Sequence, residues 1–194
     1  MSVDQLSAVP KSEQASAIAT IVSACTDDPV ERWLFPDTDE YLTHFPEFVA
    51  AFGGQAFREE TAWMLGEFSA VALWFAPGSE PDGEGIAKVL SEIVSPEKRA
   101  DWFAVLEQMN QHHPEYPHWY LPWLGVNRAM QGAGLGGELL TRCLAMADDS
   151  HLPAYRETPN PRTIPLYERH GFQVIAVAQA GTCPPMTLML RAAQ

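Results

Sequence analysis

Leu124–Leu140, LGVNRAMQGAGLGGELL, holds the residue types best suited to gripping an anion. An apolar run ends at Val126. The glycine-punctuated loop Gln131-Gly132-Ala133-Gly134-Leu135-Gly136 follows, and an amphipathic segment then runs from Glu138 to Met146. A strand, a glycine turn and a helix in that order aim the first backbone N–H groups of the helix at one point. The helix dipole adds partial positive charge there, and pyrophosphate is the usual guest. A glycine loop alone is not specific. The dinucleotide pattern G-x-G-x-x-G is met only loosely, at Gly132-x-Gly134-x-x-Gly137.

A second block follows about a strand later: Asn160-Pro161-Arg162-Thr163-Ile164-Pro165-Leu166-Tyr167-Glu168-Arg169-His170-Gly171-Phe172. This block resembles the one that closes the GCN5-related N-acetyltransferases (GNAT superfamily). The earlier loop resembles their acetyl-CoA loop, (Q/R)-x-x-G-x-(G/A), with Gln131, Gly134 and Gly136 at the matching positions. His118-Trp119-Tyr120-Leu121, Arg156-Glu157-Thr158, and Asp27-Asp28-Pro29 followed by Phe35-Pro36-Asp37 resemble the puromycin N-acetyltransferase branch. The likeness is specific from about His112 to Val174 and thinner before that.

The resemblance implies acetyl-CoA as cosubstrate, its pyrophosphate cradled by backbone N–H groups from Gln131 through Gly132, Ala133, Gly134 and Leu135 to Gly136. Arg128 stands where the puromycin branch usually has proline, and either reaches a CoA phosphate or is a solvated surface residue. In the family the two central strands splay apart and the pantetheine arm inserts between them. Leu124 and Val126 would then supply its main-chain partners, and Asn160 matches the asparagine that bonds the arm. The plainer role for Asn160 is to form a turn before Pro161. Tyr167 matches the tyrosine beside the acyl sulfur, whose hydroxyl donates to the departing thiolate. Its alternative is a core tyrosine packed beside Phe172.

The general base is open at this stage. Strand alternation puts Val126, Leu124, Pro122, Tyr120 and His118 on one face. Tyr120 falls nearest the family's base position but is a poor base, with an unperturbed pKa near ~10. His118 titrates near neutrality. Glu67, in a hairpin turn, Glu157, and a water chain are the other candidates. His112 and His113 have no third ligand at zinc-site spacing, so no metal site is expected. Asp27, Asp28 and Trp33 are candidates for the acceptor pocket, since the first two helices cover that site in relatives.

These residues need a mixed scaffold to hold them. Apolar patterning and turn residues give strands at Val3–Ala8, Thr61–Leu65, Ala70–Phe75, Trp119–Val126, Pro153–Thr158, Phe172–Ala178 and Met186–Leu190. Helices follow Ser12 and Asp37, precede Val94, start at Ser95-Pro96, and surround both motifs. Pro46 should kink the second helix. The order is α/β (α+β) and fits the GNAT fold: a mostly antiparallel mixed sheet, splayed at its central parallel pair of strands and flanked by helices. The last strand, Met186–Leu190, would be an exposed edge able to pair across a dimer, so a monomer or homodimer is expected.

At 194 residues the chain is most simply a single GNAT acetyltransferase domain spanning 1–194. A formal charge of −13 suits a cationic small-molecule amine as acceptor and argues against nucleic acid as a partner. Cys25, Cys143 and Cys183 are odd in number and far apart, giving no disulfide framework and no acyl-cysteine inside either motif. The N-terminus has no basic leader, and the apolar stretch around Ile18–Cys25 is too short to span a membrane. A cytoplasmic N-acetyltransferase acting on a small primary amine through a ternary complex is the expectation. The alternative is a non-catalytic acyl-CoA-binding sensor or regulatory module.

Overall fold

A computed structural model describes residues 5–194. The strands are β1 (Leu6–Ala8), β2 (Ala62–Leu65), β3 (Ala70–Phe75), β4 (Trp119–Val126), β5 (Ala154–Thr158), β6 (Phe172–Ala178) and β7 (Met186–Arg191). They form one sheet in the order β1-β2-β3-β4-β5-β7-β6. Every pairing is antiparallel except β4 with β5. The fold class read from the sequence is therefore the fold observed. Residues 3 and 4 of the expected first strand lie outside the described residues.

Eight helices accompany the sheet among the described residues: α1 (Gln14–Ala24), α2 (Pro29–Leu34), α3 (Thr38–Gly53), α4 (Gln55–Arg58), α5 (Gly83–Ile93), α6 (Pro96–Asn110), α7 (Leu135–Asp149) and α8 (Ile164–Arg169). Local chemistry sets several starts. Asp37 accepts from the N–H groups of Asp39 and Glu40 at the head of α3, and Ser95 accepts from Lys98 at the head of α6, both as N-caps. Ser12 does not cap: a 3-10 turn, Lys11–Glu13, precedes α1. Pro46 sits inside α3, which runs on through it. The short helix α2 was not legible beforehand, because Asp28-Pro29 reads as a stop for α1 and is also a start.

The sheet separates two cores. On one face, α1–α6 bury Phe35, Phe45, Phe48 and Trp123 in an edge-to-face aromatic cluster. On the other, α7 and α8 bury Leu139, Leu140, Leu144 and Tyr167 against Trp74 and Leu121. Apolar burial on both faces explains why β3 is buried along its whole length.

Two irregularities shape the middle of the sheet. Leu73 pairs with Trp123 but Phe75 pairs with Tyr120, so β4 carries one extra residue at Leu121–Pro122. Proline has no N–H to give, and a bulge is where a central strand tolerates it. The alternation expected along β4 is broken there: Tyr120 and Trp123 join the first core, whereas Leu121, Leu124 and Val126 face the second. The second irregularity is the β4–β5 pairing itself, recorded only at Trp119↔Ala154 and Tyr120↔Tyr155. Beyond that the two strands part, β4 continuing on β3 and β5 on β7.

The expectation that Met186–Leu190 forms an open edge is corrected. β7 lies between β5 and β6, hydrogen-bonded on both sides, and β6 is the edge. Sequence order hid this, because the last strand folds back into the sheet.

α1 crosses β4 at Gly125, where an added Cβ would stand 2.9 Å from the Ala24 Cβ and 3.1 Å from the Ile21 Cα. Overpacking of this kind costs about 1–3 kcal/mol, and each kcal/mol moves Tm by about 2–4 °C at this chain length. Gly125→Val should lower the melting temperature accordingly, read by circular dichroism. An unchanged melting temperature would mean that α1 is not held against the strand.

Candidate active site

The parting of β4 and β5 opens a cavity of about 1110 Å³. Its walls come from both sequence blocks, from the α1–α2 junction and from the aromatic face of α3. The structure therefore brings together Leu124, Val126, Arg128, Gln131, Gly132, Gly134, Leu135, Gly136, Asn160, Tyr167, Tyr120 and Glu157, the expected residues that line this one space.

At the loop end, Gly134 holds the cap position of α7 in the left-handed region, at φ 84°, a conformation that favours glycine. No backbone carbonyl accepts from the N–H groups of residues 132–137, and no side chain caps the helix. Unsatisfied donors at a helix start suit an anion, so the loop fits a pyrophosphate. Ala133 is exposed beside them. Gly136 serves packing instead: a Cβ there would be 3.3 Å from Val126. Gln131 ties the loop back to the strand by donating to the Val126 carbonyl at 3.2 Å. Arg128 pairs with Asp27 at 2.8 Å, both exposed, so the β4–α7 loop is clasped to the α1–α2 junction. Such a pair is worth little in stability.

Asn160 accepts from the Arg162 N–H at 3.1 Å and so forms the turn its sequence position suggested, while also lining the cavity. Tyr167 is 1% exposed, packed edge-on to Phe172, with its ring 4.7 Å beneath the Arg156 guanidinium. Burial raises its pKa and the Arg156 charge opposes that rise. It is thus at once a core tyrosine and a cavity residue.

The base candidates divide. His118 is not in this cavity. Its Nδ1 meets the Tyr116 carbonyl at 2.8 Å and its Nε2 meets His113 Nε2 at 3.1 Å, beside a separate, smaller cleft. Burial lowers its pKa. Tyr120 is buried, and burial followed by the nearby Glu157 charge pushes its hydroxyl up, which makes it a still poorer base. Glu67 is exposed in the β2–β3 turn and lines neither cleft. Glu157 faces the cavity with a 7% exposed side chain, and His113 Nδ1 stands 3.9 Å behind it.

Among the wall residues to which sequence reading gave no part in the site are Glu31, Trp102 and Arg156. Glu31 is 6% exposed, and one turn of α2 places it beside Asp28, which caps that helix by accepting from Val30 and Glu31. Burial pushes Asp28 up to about 6, and burial and then the Asp28 charge hold Glu31 well above the usual carboxylate range. An acid three residues after a capping Asp was the available signal. Trp33 lies elsewhere, bonded to Thr182 at 3.2 Å. Among the described residues no group of three His, Cys, Asp or Glu is placed to hold a metal. No described helix is long and apolar enough to cross a membrane.

The Acetyltransferase (GNAT) family matches residues 79–172, a span that includes the loop, the splayed strands and the second block. Just under half of the chain thus matches the GNAT acetyltransferases, and the matches make it an N-acetyltransferase. An uncharacterized N-acetyltransferase of Schizosaccharomyces pombe is 26% identical over 94% of this chain and 81% of its own length. The Corynebacterium glutamicum structure described as histone acetyltransferase HPA2 and related acetyltransferase superposes with a TM-score of 0.70, at 19% identity, over 98% of this chain and 96% of that one. Arylalkylamine N-acetyltransferase 2 from Aedes aegypti gives a TM-score of 0.68 at 12% identity, over 98% and 99%. As an N-acetyltransferase with this match the chain uses acetyl-CoA, and the matches favour catalysis over a non-catalytic acyl-CoA-binding module.

Gly134→Val should abolish the thermal stabilisation that acetyl-CoA gives the wild type, about 2.7 kcal/mol at ~100 times its dissociation constant. No heavy atom lies within 4 Å of the added Cβ, so the variant should fold, with strain from its φ. A wild-type shift in that variant would show the loop to be a turn only. Asp28 supplies a pH test. Its folded pKa lies above its ordinary 3.8, so it favours the fold at low pH and that contribution is lost as pH rises through about 6. Asp28→Asn keeps the capping oxygen and should melt higher than wild type at neutral pH but not at pH ~4. Parallel pH-melting curves would refute a desolvated Asp28 carboxyl.

Proposed function

We propose that this GNAT enzyme acetylates the primary amine of a small molecule that carries positive charge, by direct attack in a ternary complex. The observation that carries the reading is the buried Glu31 with the half-buried Asp28 beside it, in a wall that also includes Phe48, Phe52, Trp102 and Trp123. Carboxylates among aromatic faces suit an ammonium or guanidinium group. One similar structure is named for histones and another for arylalkylamines. The depth of this wall, with Trp102 4% exposed and Glu31 6% exposed, supports a small acceptor over a protein tail. The Asp27-Asp28-Pro29 and Arg156-Glu157-Thr158 motifs support a place in the puromycin N-acetyltransferase branch. The three free cysteines support a reducing, cytoplasmic setting.

Acetyl-CoA supplies an activated acetyl group as a thioester. Leu124 and Val126 hold its pantetheine arm by main-chain bonds, helped by Asn160, and the amides of residues 132–137 hold its pyrophosphate. Glu157 takes the proton of the attacking amine, since it stands on β5 in the cavity wall with His113 Nδ1 3.9 Å behind it to continue a proton path. His113 and His118 continue the path to the smaller cleft, at 3.9 and 3.1 Å. Tyr167 gives its hydroxyl proton to the sulfur as the C–S bond breaks. An acyl-cysteine route is disfavoured, because burial raises the Cys25 thiol and pushes Cys143 up to about 12 and Cys183 to about 11.

Mass-spectrometric screening of an amine library should return acetylated cationic amines, with neutral amines of equal size poor. Glu31→Gln should raise KM for the cationic acceptor more than it lowers kcat. An unchanged KM would remove Glu31 from the acceptor wall. Tyr167→Phe should cut kcat at least tenfold, or about 1.4 kcal/mol of barrier, with acetyl-CoA affinity kept. A lowered melting temperature with unchanged kcat would return Tyr167 to the core.

A further inference from the structure

Among the described residues, four buried polar atoms without a partner belong to this cavity's walls: Glu31 Oε2, Trp102 Nε1, Trp123 Nε1 and Arg156 Nε. Arg156 differs from the others in being a permanent cation. It is 7% exposed, and no described carboxylate stands within ion-pair distance of it. A buried guanidinium without a counter-ion is costly. It is kept at one place, the vertex where β4 and β5 part. There Nη1 donates to the Leu121 carbonyl at 3.0 Å and the Pro122 carbonyl at 3.3 Å, the two bulge residues. The plane of charge lies over the Tyr167 ring, 4.7 Å from its centre. Nε remains free.

The groups that face Arg156 form no ion pair with it. Cys25 just after α1, Tyr120 on β4 and Tyr167 on α8 are all held in their protonated forms by burial. Glu31 on α2 and Asp28 at its head make no ion pair with Arg156, and the Asp28 oxygen Oδ1 caps that helix. Glu157, next on β5, also lines the cavity but makes no ion pair with Arg156, and His113 Nδ1 stands 3.9 Å from it. The site thus keeps a guanidinium that no ion pair engages where acetyl-CoA and amine would meet. In the transfer, the N–C bond forms, the C–S bond breaks, and the electron pair of that bond stays on sulfur until a proton arrives. New negative charge therefore appears at the sulfur during the reaction, beside Tyr167.

We propose that Arg156 stabilises the departing CoA thiolate and so shares with Tyr167 the task of leaving-group departure. The proposal rests on the placement of the pantetheine arm between β4 and β5. Its fixed geometry, set by two backbone carbonyls and an aromatic face, means the charge needs no reorganisation when the sulfur leaves.

Binding of free CoA tests this without any acceptor. Wild type, Arg156→Met and Arg156→Lys are titrated calorimetrically with CoA, acetyl-CoA and desulfo-CoA from pH ~6 to ~9, across the ordinary thiol pKa near ~8.5. In the wild type CoA should bind more tightly as pH rises, roughly tenfold for each unit by which the bound thiol pKa is lowered. Acetyl-CoA and desulfo-CoA, which have no thiol to ionise, should not show this slope. Arg156→Met should lose the slope while still binding acetyl-CoA, and Arg156→Lys should keep part of it. A flat wild-type profile, or an equal slope in Arg156→Met, overturns the role. If wild type binds none of the three, the cofactor placement itself fails and the role of Arg156 falls with it. Should Arg156→Met not fold, the wild-type slope against desulfo-CoA still decides.

Discussion

Pro122 has no N–H to offer its neighbour, and the centre of this protein is organised around that missing donor. A proline in a central strand forces a bulge, seen in the jump from Leu73↔Trp123 to Phe75↔Tyr120. The bulge leaves the Leu121 and Pro122 carbonyls turned out of the ladder, and Arg156 on the neighbouring strand takes both. With those carbonyls bound to a side chain, β4 and β5 cannot zip further, and the cleft between them is a stable feature of the fold. β3 and β7 supply the pairing that each strand forgoes, so the sheet stays continuous around the opening.

The two cores meet at this opening and give its ends different chemistry. Towards α7 the walls are backbone donors and glycine, suited to phosphate. Towards α2 and α3 they are buried carboxyls and aromatic rings, suited to cations. The formal charge of −13 is thus not evenly expressed: donors hold the α7 end of the cavity, Arg156 sits where β4 and β5 part, and acids hold the acceptor wall. The Arg128–Asp27 pair crosses between the two at the rim.

Much of this was legible in the sequence because it depends on local chemistry. Glycines before an amphipathic run, Asp37 and Ser95 as caps, and the apolar run Trp119–Val126 each state their structure within a few residues. What was not legible depends on contacts distant in sequence. Strict alternation put Tyr120 on the face of Leu124 and Val126, and only the pairing partner reveals the bulge that moves it. His118 looked free to act as a base until the fold turned it to His113. Arg156 read as one more strand residue, since nothing in Ala154–Thr158 shows that its head reaches the bulge of another strand. Glu31 lay in a helix too short for its periodicity to register. The exposed edge was assigned to the last strand because chain order, and not spatial order, was all that was visible.

That edge now has a different meaning. β6 presents Val174, Ile175 and Val177 to solvent, 45%, 42% and 59% exposed, a row of apolar side chains on an open strand. Its pairing with β7 passes from Val174↔Met189 to Ala176↔Leu188, so Ile175 is an extra residue with no partner across the ladder. A bulge twists the edge locally and breaks the regular repeat of donors and acceptors that an incoming strand would need. The irregularity therefore acts as a guard: the stickiest strip of the sheet is also the one least able to template another chain, which protects an otherwise aggregation-prone border while leaving its side chains accessible.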